Sequence, residues 1–285
     1  VTATEIPLVI LAAGRAKRYG GGLKPLAPVG PHDEAMIDLL ASDALAAGFS
    51  RFVVVVNPVS GPHITDHLSR NWPSFVEVCS MVQPEPRGTV DAVLAAYPAL
   101  DGVRNFGVAN ADDLYGETAF SLILKHLTSE PATNALVAFQ LDRAVVGQSV
   151  VTRAVCHVGP NGHLVALDER RGVRRRPDGW FETADGHSPH LLEPTTLVSM
   201  NLWGLQASLR NELQAAMDSA IEGEVLLPEL VGKLVQRTEG PSFLVLPTDG
   251  HCIGVTHPDD LGLVRAAVAA QISGGERSAK LWPDF

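Results

Sequence analysis

The sequence predicts an α/β protein: a mostly parallel mixed sheet with helices on both faces, extended by a small antiparallel part and a flap. Three observations lead there. The first half alternates short β-branched runs with helical patterns, the signature of βαβ units. Its apolar runs are continuous rather than alternating, as in strands covered on both faces. Beyond about residue 145 the intervening helices give way to short strands separated by Gly, Pro and Asn turns.

In order, "PLVILAA" (7–13) reads as a strand, "MIDLLASDALAAGF" (36–49) as a helix, and "FVVVVNP" (52–58) and "VEVCSMVQ" (76–83) as strands. "TVDAVLAAYPAL" follows as a helix, "NFGVANAD" as a strand ending at Asp112, "TAFSLILKHL" as a helix and "NALVAFQL" as a strand. "SVVTRAVCHV", "GHLVALDE" and "TTLVSMNLWGL" form the expected antiparallel extension sitting on that sheet. Residues 170–194 are polar, punctuated by Pro and Gly, and carry five arginines between Arg170 and Arg176, so they form either a long hairpin or a mobile flap. Helical patterns return at "LQASLRNELQAAMDSAI" and at "DDLGLVRAAVAAQI", the latter announced by Pro258 and Asp259.

With 285 residues and 46% hydrophobic content, the chain has enough apolar surface for one continuous core. Thirty-two acidic against 22 basic residues give a net charge of -10, which argues against polynucleotides and anionic membranes as partners. Cys79, Cys156 and Cys252 are far apart and show no zinc spacing, as expected of reduced packing residues in a cytoplasmic protein. The first residues carry no charged region leading into a long apolar core, and no run reaches the roughly 20 apolar residues of a spanning helix. The ten histidines show no HxH or HExxH arrangement, and Trp203 and Trp282 read as packing.

The stretch that carries chemistry is "LVILAAGRAKRYGGGLKPLAPVG" (8–30), an apolar strand, a small-residue turn and a loop rich in glycine and cations. It fits neither G-x-G-x-x-G nor G-x-x-x-x-G-K-[ST]. What remains is a strand C-terminus where open α/β sheets bind ligands, with backbone N–H groups and cations to meet a triphosphate.

These residues resemble the nucleotidyltransferases that make NDP-sugars, whose signature is LAAGxGxR…KPLxPV. The resemblance continues in order through "VQPEPRGTVDAV", "VANADDLYG", "LDERRGV", "VSMNLWGL", "EVLLPEL" and "GVTHPDDL". It implies a Rossmann-like domain over 1–285, with a nucleotide-binding half (1–145) and a sugar-phosphate-binding half (146–285) that carries the flap. It also implies NMP transfer from an NTP to a sugar 1-phosphate with Mg²⁺ as cofactor, a pyrimidine nucleotide (UTP or dTTP) being favoured, and a possible homo-oligomer.

Under that resemblance Arg18 and Lys24 grip the triphosphate and the attacking phosphate, and Asp112 binds the metal, with Glu224 as a second ligand. Leu11, Ala12, Ala13 and Gly14 hold the nucleotide, and Gln83, Gly88 and Thr89 read the base. Asn110, Glu169 and Asn201 meet the sugar, with Arg170 on its phosphate. Arg171, Arg174, Arg175 and Arg176 form either a lid or a solvated loop, and Asp113 points elsewhere to cap a turn. Two departures stand out: Ala16 where relatives carry glycine, and Leu227 and Pro228 where many carry a late Asp. They leave open a catalytically weak nucleotide-binding homologue. Other readings are a cytidylyltransferase for phosphocholine or another non-sugar phosphate, which favours an acidic or aromatic cage, and a glycosyltransferase using Asp112 and Asp113.

Overall fold

The computed structural model describes residues 5–14, 23–129, 132–255 and 260–282. Among the described residues, thirteen strands and seven α-helices follow in chain order. The first half contains β1 (Pro7–Leu11), α1 (Met36–Ala46), β2 (Arg51–Val56), α2 (Gly61–Asn71), β3 (Glu77–Val82), α3 (Thr89–Ala96), β4 (Asn105–Asn110), β5 (Asp113–Leu114), α4 (Gly116–Leu127) and β6 (Asn134–Gln140). The second contains β7 (Val151–Val158), β8 (Leu164–Arg175), β9 (Phe181–Glu182), β10 (Leu191–Leu192), β11 (Leu197–Gln206), α5 (Arg210–Ser219), α6 (Leu227–Leu234), β12 (Phe243–Thr248), β13 (Ile253–Gly254) and α7 (Leu261–Ser273).

The main sheet runs β10-β9-β8-β7-β11-β4-β1-β2-β3, with β6 on β11 and β12 on β6. β1 pairs in parallel with β2 on one side and β4 on the other. The chain therefore changes direction across the sheet between β1 and β4, and open α/β sheets bind ligands outside the carboxyl ends at such a switch. Those ends are Leu11 and Asn110, in register with each other. The continuous apolar character of β1 is explained by its two covered faces: Leu8 and Ile10 pack with α1 and α4, Val9 with α3 and α5. Each of these side chains contributes about 1.5–3 kcal/mol by leaving water.

Three sequence expectations are corrected. β11 does not sit on the sheet as an extension; it lies inside it, antiparallel to β4, β6 and β7. β4 stops at Asn110, so Asp112 occupies the turn beyond the strand rather than its end. β3 is apolar in sequence but is an edge strand of the sheet, and all six of its residues are partly or fully exposed. The choice left open over 170–194 falls on a hairpin, formed by the end of β8 with β9 and β10.

A break in β11 shapes the site. Its C-terminal half pairs with β4 through Trp203 to Gln206, its N-terminal half pairs with β7 through Val198 and Ser199, and β6 runs along the other edge past both. The register shifts between Ser199 and Trp203, and there Asn201 takes a left-handed conformation with φ of 61°. Asparagine tolerates that region better than other side chains with a Cβ. β4 and β7 thus share one edge of β11 and part at the bulge, leaving a gap.

Candidate active site

Three adjoining cavities lie along the switch point, and Asp112 lines all of them. The largest, about 300 Å³, fills the gap at the β11 bulge between Asn110, the Thr152–Ala154 stretch of β7 and Ser199–Asn201. A small one of about 80 Å³ lies between Leu11–Ala12, Lys24–Pro25 and the start of α2. The third, about 200 Å³, lies between Ala13–Gly14, Gln83, Gly88–Thr89 and Glu224.

Lys24 is placed by its own short sequence. Residues Lys24–Leu26 form a 3-10 turn with Pro25 in its first positions, and Met36 N–H donates to Ala27 O at 2.9 Å, locking the turn to α1. The Lys24 side chain is 16% exposed, and its Nζ stands 3.4 Å from Asp112 Oδ2. Asp112 is itself held by a short return of the chain: Ala111 N–H donates to Leu11 O at 3.1 Å, stitching the end of β1 to the turn after β4.

Gly88 and Thr89 form one wall of the third cavity. Gly88 has φ of 98°, and a Cβ there would stand 2.4 Å from Val225 O, so only glycine fits. Val90 N–H donates to Val225 O and Leu227 N–H to Thr89 Oγ1, which clamps the 88–90 turn to the 225–227 segment. The Gln83 amide Nε2 donates to Gly88 O at 3.0 Å and to Asp91 Oδ2 at 2.8 Å. Two acceptors facing the amide fix its orientation. Both amide hydrogens are engaged, one by the loop and one by α3, so what Gln83 has left to offer a ligand is its Oε1, an acceptor.

Beside the large cavity, Tyr115 is buried and its hydroxyl links two elements. It accepts from Asn110 N–H at 3.0 Å and donates to Met200 O at 2.9 Å, tying the end of β4 to the β11 bulge. Asn110 Nδ2 donates to Asp113 Oδ2 at 3.1 Å. Asp113, expected to cap a turn, lines the large cavity instead, because β5 pairs it with Gly254. A Cβ on Gly254 would lie 2.2 Å from Asp113 Oδ1. Burial pushes the Asp113 carboxyl up to about 7, helped by the Asp112 charge and opposed by Arg153, Asn110 and Lys24.

Glu169 and Asn201 line the same cavity. Glu169 meets Arg171 at 2.6 Å, and Asn201 Oδ1 accepts from Trp203 Nε1 at 3.4 Å. Arg170, expected on the acceptor phosphate, requires correction: it turns into the hairpin, 4% exposed, and its Nε meets Asp185 Oδ2 at 2.7 Å. Its Nη2 donates to Thr183 Oγ1 and to the carbonyls of His187 and Pro189. The charge is spent on pinning the hairpin, and that hydrogen bond with Arg170 holds the Asp185 carboxyl well below its ordinary range. Arg174 and Arg176 pair with Glu182 and Asp178, and Arg175 stacks over Phe181, so none of these three lines the described cavities.

Arg18 and Ala16 lie outside the described residues. Glu224 is exposed and shares the third cavity with Asp112. Among the described residues no group of three metal-ligating side chains is preassembled, yet the donor set suits magnesium, which needs one or two carboxylates and completes its shell with water and phosphates. Sequence reasoning missed Arg153, Thr152 and Tyr115. The "YG" after "NADDL" was a signal for Tyr115; nothing local marks Arg153, since its place depends on the pairing of β7 with β11.

Residues 8–222 match the family described as the MobA-like NTP transferase domain. No curated protein sequence matches the chain. Among solved structures it is similar to HddC from Yersinia pseudotuberculosis, complexed with GMP-PN, at 15% identity and a TM-score of 0.65, covering 92% of this chain and 99% of that one. It is likewise similar to the inositol-1-phosphate CTP transferase from T. maritima, at 15% identity and a TM-score of 0.66, covering 95% of this chain and 98% of that one. At that identity the two structures speak for a shared fold.

Proposed function

Because the chain belongs to the MobA-like NTP transferase domain family and is a nucleotidyltransferase, we propose that it transfers a nucleoside monophosphate from an NTP to a sugar 1-phosphate. The observation that carries this reading is the meeting of three cavities at Asp112, one each for phosphates, base and acceptor. An acceptor phosphate oxygen forms a bond to the α-phosphorus while the bridging bond to the β-phosphate breaks, and pyrophosphate departs with the electron pair. The attacking oxygen is already anionic, so the protein's task is alignment and charge compensation rather than proton removal.

Lys24 supplies one fixed cation at the junction of the acceptor and phosphate cavities, and Arg18 is proposed to supply another. Asp112, with Glu224 across the base-side cavity, would hold Mg²⁺, which contributes charge stabilisation at the phosphates. Leu11 to Gly14 and Gly88–Thr89 border the nucleotide, and the Gln83 acceptor suits a base edge carrying an N–H, as in UTP or dTTP. The first half of the chain, 1–145, is proposed to bind nucleotide, and 146–285 the acceptor.

The acceptor cavity supports a polyhydroxylated substrate. Asn110, Thr152, Ser199 and Asn201 offer hydroxyl-sized hydrogen-bond partners, with Asp113 and Glu169 as carboxyl acceptors. No aromatic ring lines it among the described residues, so the aromatic form of the cage that a phosphocholine head group favours is missing there, while Asp112, Asp113, Glu169 and Glu229 supply the acidic form, and the assay has to separate the two acceptors. The test is a matrix of NTPs against sugar 1-phosphates and phosphocholine, read as magnesium-dependent pyrophosphate release. Turnover with a sugar 1-phosphate is expected; turnover with phosphocholine alone, or with no pair, would overturn the reading.

A further inference from the structure

Arg153 and Arg170 stand opposite each other on the ladder between β7 and β8, and their surroundings differ. Arg170 has its charge met in full by the buried Asp185 and lies away from the acceptor cavity. Arg153 lines that cavity. Its Nε and Nη2 donate to Ala144 O at 3.2 and 2.7 Å, and its Nη1 to Thr152 O at 2.9 Å. Three of the five guanidinium donors are thus used on neutral carbonyls, which orient the group, and one N–H remains on each terminal nitrogen.

Among the described residues Arg153 makes no ion pair; Asp113 acts on it through space only. A half-buried guanidinium held rigidly without a paired anion is costly unless a ligand completes it. Lys24 acts on the same Asp113 carboxyl and lines the same cavity, so the two cations share one wall. The cavity wall bears these two cations against the carboxylates of Asp112, Asp113, Glu169 and Glu229. An incoming phosphate dianion therefore meets a predominantly acidic wall and depends on both cations.

We infer that Arg153, in place of Arg170, binds the phosphate of the acceptor, acting with Lys24 on the same dianion. Arg170 then serves as a positioning residue that holds the hairpin behind Glu169. This rests on the transferase reading for the identity of the anion, but the anion site can be tested without turnover.

The experiment titrates inorganic phosphate and glucose 1-phosphate by calorimetry into the wild type, Arg153→Gln, Arg153→Lys and Arg170→Gln, with and without magnesium and a non-hydrolysable NTP. Thermal midpoints are measured in parallel. Arg153→Gln should weaken both probes by about 10–100-fold, the effect of one charged hydrogen-bonding group, with nucleotide affinity and thermal midpoint nearly unchanged. Arg153→Lys should recover part of the loss, whereas Arg170→Gln should lower the thermal midpoint and leave phosphate affinity of the folded protein intact. With an active pair in hand, the KM for acceptor should rise in Arg153→Gln while the KM for NTP holds. Wild-type affinity in Arg153→Gln, loss of phosphate binding in folded Arg170→Gln, or a wild type that binds neither probe would each overturn the inference. Absence of turnover with every pair, with phosphate binding still lost in Arg153→Gln, would sink the transferase reading and leave the anion site standing.

Discussion

The two walls of the crevice are built by different kinds of pairing. On the side proposed to bind nucleotide, β1, β2 and β4 are parallel, and the lining residues lie at the strand ends and in the turns after them, at Leu11 to Gly14 and at Asp112. On the acceptor side, β7, β8 and β11 are antiparallel, and what faces the cavity is decided by a bulge and by register. A register slip of one residue in a strand exchanges the two faces. The wall proposed for the nucleotide therefore follows from strand ends, braced at Thr89 and Val90 by the 225–227 segment, and the wall proposed for the acceptor depends on a register set by strands far along the chain.

The largest test of that contrast is Asp112→Asn. Asp112 is shared by all three cavities, so its loss is expected to cut kcat by roughly 10³-fold with folding preserved. Initial rates across a magnesium titration check it, and near-normal activity would remove Asp112 from the centre of the site.

Arg170→Met should act on the other wall through stability. It leaves Asp185 buried without its cation, which costs about 3–5 kcal/mol, read as a lower unfolding midpoint in denaturant. The sign of the pH dependence follows from the depressed Asp185 carboxyl, whose ordinary value is 3.8. The stabilisation it provides is fully present above that value and is lost as pH falls through the lower folded value. The stability gap between wild type and Asp185→Asn should therefore be constant near neutrality and close in strong acid; a gap that widens in acid would break the assignment.

That contrast also explains what the sequence made legible. The βαβ alternation, the switch-point strand and the 3-10 turn that carries Lys24 follow from short segments, whereas Gly88 and Thr89 were legible as motif residues although the 225–227 segment that clamps them is remote in sequence. β11 was misjudged as peripheral because its apolar run does not say which strands it joins. Arg170 was misjudged because the hairpin that consumes its charge closes through Asp185, 15 residues later. Arg153 was missed because only the parting of β4 and β7 along β11 brings it to the cavity.

A smaller effect is expected from Gly88→Ala. The positive φ and the approach to Val225 O together cost about 2–4 kcal/mol, and relief requires the 88–90 turn to leave the 225–227 segment. Because that clamp shapes the base-side cavity, the KM for NTP should rise more than the KM for acceptor. Equal rises in both would mean that the clamp serves the whole crevice, and the separation of the two walls would lose its ground.

The finest test lies at the bulge itself, where Asn201 joins two functions in one residue. Its backbone holds the left-handed turn that parts β4 from β7, and its side chain lines the acceptor cavity. Asn201→Gly keeps the first and removes the second, since glycine adopts positive φ without steric cost. Stability should then fall by about 1–2 kcal/mol, because the buried Trp203 Nε1–H loses its acceptor at Asn201 Oδ1, while the KM for acceptor rises several-fold, on the order of one lost neutral hydrogen bond. Asn201→Ala removes both and should lower stability by a further 1–2 kcal/mol or so. If the glycine variant keeps its acceptor KM while the alanine variant loses it, the residue acts through the backbone alone, and the acceptor wall is a matter of strand geometry rather than of side-chain recognition at this position.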